Sequence, residues 1–154
     1  HSWRSKAPLI YRATPQWFIS MEKKSLRDTA IKAINETTFY PAKGKDRLLS
    51  MVEGRPDWCV SRQRVWGVPL PIFINKKTKE PLRDQKVIER IAEIYEKEGS
   101  DCWFTDDVEK FLGKEYDPNN FEKLKDIVEV WFDSGSTHSF VLEKRQDLKW
   151  PADM

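Results

Sequence analysis

Arg55-Pro-Asp-Trp-Cys-Val-Ser-Arg-Gln-Arg-Val-Trp-Gly-Val-Pro-Leu-Pro71 is the stretch on which the reading of this chain turns. Two tryptophans, Trp58 and Trp66, alternate here with three arginines, Arg55, Arg62 and Arg64. A core segment does not carry guanidinium groups so densely, and a solvated face does not carry two indoles. Guanidinium forks grip phosphates, and indole faces stack on bases. Tryptophan and arginine also pair in ordinary half-buried surfaces. Composition alone therefore leaves a nucleic-acid role open.

The 154 residues around this stretch suffice for one domain with a core. The formal charge is +2, and the charged 34% of residues is mixed along the chain. No strongly basic or acidic field selects a partner, so an anion site must be local. No apolar run approaches the ~18 residues of a spanning helix, and no signal-peptide pattern opens the chain. A membrane partner is not expected. Cys59 and Cys102 lie far apart without spaced partners; both are expected to be free buried thiols of a reducing compartment, the cytoplasm. The opening His1-Ser-Trp-Arg4 and the seven tryptophans suggest a piece of a larger protein, with surfaces that something else covers.

Patterning predicts alternating strands and helices, hence an α/β class. Residues 8–20 read as two short extended pieces kinked at Pro15. Residues 23–35 carry a helical stripe at Leu26, Ala30, Ile31 and Ile34. Thr37 to Tyr40 reads as a strand, and Asp46 to Val52 as a helix stopped by Gly54 and Pro56. Leu70 to Ile74 reads as a strand, and residues 75–80 as a polar turn. The clearest helix is capped by Asp84 and runs to about Glu98, with Val87, Ile88, Ile91, Ala92, Ile94 and Tyr95 on one face and Gly99 at its end. Thr105 is expected to start a short helix that Gly113 closes. Residues 114–126 look loop-like. Ile127 to Phe132 reads as a strand that turns at Ser134-Gly135-Ser136 into a short helix near 137–144.

The 55–71 string resembles the Asp-Trp-Cys-Ile/Val-Ser-Arg-Gln-Arg-x-Trp-Gly-x-Pro segment of class I aminoacyl-tRNA synthetases of the isoleucine/valine/leucine group. Lys6-Ala-Pro-Leu-Ile-Tyr-Arg-Ala-Thr-Pro-Gln-Trp-Phe-Ile19 resembles the segment in which such chains return from their editing insertion. Val128-Glu-Val-Trp-Phe-Asp-Ser-Gly-Ser136 resembles the strand and turn after a second, smaller insertion. The three occur in family order. Ser136-Thr-His138 and Thr14-Pro-Gln-Trp-Phe18 favour the isoleucine branch over the valine and leucine branches.

The resemblance implies a partial nucleotide-binding, Rossmann-type catalytic domain with a small α+β insertion. Residues 1–21 would be the return segment, 22–74 a catalytic segment, 75–125 a small connective insertion, and 126–154 a catalytic strand and turn. Trp131 would wall the amino-acid pocket, although its spacing alone favours a core indole. A branched aliphatic side chain needs such a flat apolar wall, where one methylene is worth only ~1–3 kcal/mol. Arg62, Gln63 and Arg64 would lie at the tRNA acceptor end, where guanidinium groups bind phosphate or stack on the last base; without the resemblance, ordinary surface residues are an equal reading. Trp17, beside Arg12 and Gln16, is either a tRNA contact or a packing anchor.

The resemblance also implies ATP, magnesium, isoleucine, tRNA and the remainder of a synthetase chain as partners of a parent enzyme. Some members bind zinc through four thiolates. Ser2, Ser5 and Asn75-Lys76-Lys77 stand at those positions here, so no zinc is expected. His138 reads as a capping or surface residue. Asp57, Asp106, Asp107 and Asp133 suggest no catalytic pair. The family's His-x-Gly-His segment, its Lys-Met-Ser-Lys-Ser loop and its editing residues are absent from the chain. No catalytic residue or cofactor of its own is expected, and the isolated chain should make no adenylate. A free-standing tRNA-binding or interaction module and a purely structural insertion domain are the alternatives.

Overall fold

The computed structural model describes residues 1–152. They form two compact units that divide after Cys59, the second beginning at Val60.

In the first unit, strand β1 (Phe18–Ile19) pairs antiparallel with β2 (Trp58–Cys59), Phe18 opposite Cys59 and Ile19 opposite Trp58. Asp57 accepts the Met21 N–H at 2.8 Å, which holds the chain after β1 to the start of β2. Helix α1 (Leu26–Glu36) buries Ile34 from the expected stripe, while Leu26 is exposed. Helix α2 (Lys43–Glu53) starts three residues before the expected Asp46 and stops at Gly54. Arg27 of α1 donates to the Glu53 and Arg55 carbonyls at 2.9 and 2.8 Å. A cation at these last carbonyls satisfies groups that the helix itself cannot. The strand expected at Thr37 to Tyr40 is absent: these residues are irregular. Two extended pieces were expected in residues 8–20, and only β1 forms; Pro8 and Pro15 withhold ladder donors there.

In the second unit, β3 (Ser61–Arg62) pairs antiparallel with β6 (Ile127–Val128), and β4 (Phe73–Asn75) with β5 (Phe121–Lys123). Between the two ladders, Leu70 donates to the Asp126 carbonyl and Leu124 to that of Ile72, both at 2.9 Å. The chain segments on either side of residues 75–121 therefore run side by side. The Asn75 side chain accepts the N–H groups of Lys77 and Thr78, which makes the polar turn that was expected.

Helix α3 (Gln85–Glu98) is capped by Asp84, whose carboxylate accepts the Lys86 N–H at 2.8 Å, and ends at Gly99. Val87 and Ile91 are buried, but Ile88 and Ala92 of the expected face are exposed, because the stripe in contact is narrower than the apolar pattern. Two short helices follow, α4 (Cys102–Thr105) and α5 (Val108–Leu112). Thr105 thus ends one helix instead of starting the next, and Asp107 stands at the N-terminus of α5. Trp103 is wholly buried, with its ring centroid 4.9 Å from that of Phe73 and 5.1 Å from that of Phe111. Its indole N–H donates to the Leu124 carbonyl at 2.8 Å, which satisfies the polar edge. Val87, Ile91, Cys102, Leu112 and Phe121 complete this core. Gly113, at φ 72°, closes α5; a Cβ there would lie 2.3 Å from an Arg90 nitrogen. That arginine donates to the Leu112 carbonyl at 2.6 Å.

Two further expectations change here. Residues 114–126 contain β5, whose Phe121 is buried. The strand expected over Ile127 to Phe132 stops at Val128, and residues Val130–Gly135 form helix α6. The Glu129 carboxylate caps that helix by accepting the Trp131 N–H at 3.1 Å. This local bond overrides the β-branched composition of the run. A single π turn, His138–Leu142, lies inside the helix expected near 137–144. Helices and short strands alternate, in keeping with an α/β class, and every ladder among the described residues is antiparallel and two-stranded. No described helix is long and apolar enough to cross a membrane.

Candidate functional site

The pairing of β3 with β6 is what builds the site. Opposing Ser61 to Val128 and Arg62 to Ile127 brings the end of the Trp-Cys-Val-Ser-Arg stretch against the start of the Val-Glu-Val-Trp-Phe stretch. Beside this ladder lies a cleft of about 570 Å³. Arg62, Arg64 and Trp66 line it from the first stretch, and Glu129, Val130 and Asp133 from the second. Phe104, from α4, stands at the same cleft. Cations, carboxylates and exposed rings meet here, which suits a ligand with both charged and flat apolar parts.

The ladder also sorts the side chains by alternation. Ser61 is buried, while Arg62 is half-buried and within 4.0 Å of the Glu129 carboxylate. Arg64 and Trp66 follow in irregular chain, and Trp66 is 91% exposed. Gly67 (φ 146°) directly after it lies so close to Ile127 that a Cβ would sit 2.4 Å from the isoleucine Cδ1. Gly67 therefore lets this arm approach β6. Gln63, also exposed, donates to the Asp126 carboxylate at 3.0 Å.

Trp131 lies in the first turn of α6, not on a strand, and is 71% exposed. The alternative of a core indole does not hold. It is also not among the residues that line the cleft. Asp133, one turn away from Glu129, has its carboxyl raised above the usual range by burial and by the Glu129 charge. Trp17 belongs to the first unit, where it is half-buried immediately before β1. Its neighbour Gln16 accepts a long sulfur hydrogen bond from Cys59 at 3.6 Å, and Arg12 is exposed.

Cys102 is buried, and burial raises its thiol above the ordinary range; Cys59 is only half-buried, which corrects the expectation of two buried thiols. His138 is exposed, with its Nδ1 at 2.9 Å from the Gly135 carbonyl, as a capping or surface residue would be. Among the described residues, no three His, Cys, Asp or Glu side chains group to hold a metal ion. Sequence reasoning passed over Glu129. It is 6% exposed, and the signal was available as a lone carboxylate inside the apolar run Ile127 to Phe132.

The chain is similar to known proteins along nearly all of its length. The chain is 68% identical, over its whole length, to the isoleucine--tRNA ligase of Pelagibacter ubique, of which it covers 17%. It is 53% identical to that of Zymomonas mobilis over 94% of the chain, and 51% identical to that of Gluconobacter oxydans over all of it. It spans about a sixth of the length of these relatives, 16% in the latter two cases. A family model, tRNA synthetases class I (I, L, M and V), matches residues 4–154. With both motif stretches joined at one ladder and nearly the whole chain inside the match, this chain belongs to the class I tRNA synthetases of the I, L, M and V group.

Proposed function

We propose that the chain acts as a segment of an isoleucine–tRNA ligase, which activates isoleucine with ATP and transfers it to tRNA in the cytoplasm. The observation that carries this reading is the β3–β6 ladder, which joins the arginine stretch to the Trp131 stretch beside one cleft. The 68% identity to an isoleucine ligase supports isoleucine over valine or leucine.

In this reading residues 1–21 are the return from the editing insertion, and 22–74 and 126–154 are parts of a Rossmann-type catalytic domain. Residues 75–125 are a small α+β insertion. Asp153 and Met154 lie outside the described residues. Trp131 offers an indole wall to the isoleucine side chain. Its exposure supports this role, since an indole left in water is a surface that a ligand or another segment covers. Arg62 and Arg64 hold acceptor-end phosphates at the cleft, Gln63 flanks them, and Trp17 offers a stacking face from the first unit.

In this reading ATP and magnesium are held by the remainder of the synthetase chain, which carries the family's His-x-Gly-His and Lys-Met-Ser-Lys-Ser segments that this chain does not contain. This chain's contribution to catalysis is positioning. A wall that fixes the amino acid and cations that fix the acceptor end turn an encounter into an oriented attack.

Two comparisons in the full-length enzyme test the reading. Trp131→Ala should raise the KM for isoleucine in pyrophosphate exchange while the KM for ATP holds. Arg62→Ala with Arg64→Ala should impair tRNA charging while pyrophosphate exchange persists. Each lost phosphate contact should also flatten the log–log salt dependence of tRNA binding by about one unit. Equal losses in charging and exchange would make these arginines structural. The chain by itself should catalyse no isoleucine-dependent exchange of pyrophosphate into ATP, and activity above a buffer blank would overturn that. Salt-sensitive tRNA binding by the chain alone would favour the free-standing module instead.

A further inference from the structure

Glu129 stands where three pieces of the site meet. Its backbone N–H donates to the Val60 carbonyl at 2.8 Å, next to the β3–β6 ladder. One carboxylate oxygen accepts the Trp131 N–H at 3.1 Å and so caps α6. The other oxygen faces the Arg62 guanidinium at 4.0 Å. The Glu129 side chain is 8% exposed and that of Arg62 is 40% exposed, so a buried charge is answered by one that reaches solvent. A carboxylate withdrawn from water persists only where donors and cations answer it. Among the described residues, a helix N-terminus and an arginine face this carboxylate. Asp133 shares the cleft and carries the other carboxyl near Glu129.

We infer that Glu129 is a positioning residue that ties the helix bearing Trp131 to the arginine at the cleft, so that the amino-acid wall and the acceptor-end cation are set by one side chain. This rests on the roles proposed above for Trp131 and Arg62. Cap and ion pair are separable, because an amide oxygen can still accept the Trp131 N–H but carries no charge toward Arg62.

The test uses the full-length ligase with Glu129→Gln, Glu129→Ala, Arg62→Ala and the double variant Glu129→Gln/Arg62→Ala, each checked by thermal melting. Pyrophosphate exchange reads the isoleucine side, and steady-state charging reads the tRNA side. Glu129→Gln should leave the KM for isoleucine within about twofold of wild type and raise the KM for tRNA about fivefold or more; the double variant should be no worse in charging than Arg62→Ala alone, since coupled residues are not additive. Glu129→Ala, which removes the cap as well, should also raise the KM for isoleucine about fivefold.

The inference is overturned if Glu129→Gln charges tRNA like wild type, or if its loss adds fully to that of Arg62→Ala. It is equally overturned if Glu129→Ala leaves the KM for isoleucine unchanged while Trp131→Ala raises it. In those cases the Trp131 and Arg62 variants keep their own effects, and only the link through Glu129 falls. If Trp131→Ala and Arg62→Ala are themselves silent, the assignment of the site fails and this inference with it.

Discussion

Trp103, Phe73 and Phe111 pack ring against ring in the second unit, whereas Trp3, Tyr11 and Tyr40 in the first lie open to solvent. The contrast runs against the motif content. Residues 73–121 carry none of the family strings yet enclose a core of eight buried side chains. The apolar residues buried in the first unit are Met21 and Ile34, and Arg27 adds a polar clasp on the Glu53 and Arg55 carbonyls. On the proposed division, the inserted segment carries its own core. Exposed aromatics such as those of residues 1–59 are surfaces that another part of a larger protein can cover.

The largest effect should come from Trp103→Ala. Emptying the centre of the core and leaving the Leu124 carbonyl without its donor should cost ~3–5 kcal/mol, read as a shift of the urea midpoint at constant slope. A loss the size of a surface substitution would break the contrast. Next, amide hydrogen exchange should separate the two regions: α1 and α2 should exchange at least ~10-fold faster than the buried turns of α3. Equal protection would mean that the first unit is as self-sufficient as the core.

Gly113→Ala should cost ~1–3 kcal/mol, because the new side chain meets a φ of 72° and the Arg90 guanidinium together. Pairing it with Arg90→Ala should recover part of that loss and leave the backbone share.

A smaller, pH-dependent effect belongs to Asp84. The Tyr116 hydroxyl, 2.6 Å away, and the Lys86 N–H hold its carboxyl below the usual range. The folded state therefore favours the charged form. Its contribution is complete above the ordinary carboxylate range and fades as the pH falls through the lowered value. Thermal melts from pH 6 downward should show a shallower acid loss in Asp84→Asn than in the parent.

The smallest effect, and one of opposite sign, is expected at Tyr95. Burial raises its phenol, whose hydroxyl has no hydrogen-bond partner among the described residues. Tyr95→Phe should be neutral or stabilise by up to ~1 kcal/mol in the same urea titration, since an unmet buried hydroxyl is a cost.

What could be read in advance depended on whether the cue was local. Asp84 caps α3, Gly99 and Gly113 end α3 and α5 at positive φ, and Gly54 ends α2 at an ordinary φ of −88°, because caps and closures are written in single residues. β5 was hidden, since Phe121-Glu-Lys123 has too little pattern of its own and becomes a strand only opposite Phe73–Asn75. Val130 to Phe132 misled in the other direction: three strand-favouring residues turn helical once Glu129 caps them. At the site, the string resemblance picked out Arg62, Arg64 and Trp131, but the partner of Arg62 sits 67 positions away and emerges only from the β3–β6 register. Cleft and cap are products of tertiary pairing, which a linear reading does not contain.

Leu70 and Asp126, and likewise Ile72 and Leu124, are hydrogen-bonded to each other across the base of residues 75–121. Residues 75–121 consequently leave and rejoin the rest of the second unit through a doorway two strands wide, whatever hangs beyond it. A lineage can lengthen, trim or exchange the contents without shifting Arg62 or Glu129, because the loop-closure entropy has already been settled at the threshold. Grafting a foreign hairpin-ended domain between Ile74 and Glu122, which face each other in the ladder, is thus a natural engineering move.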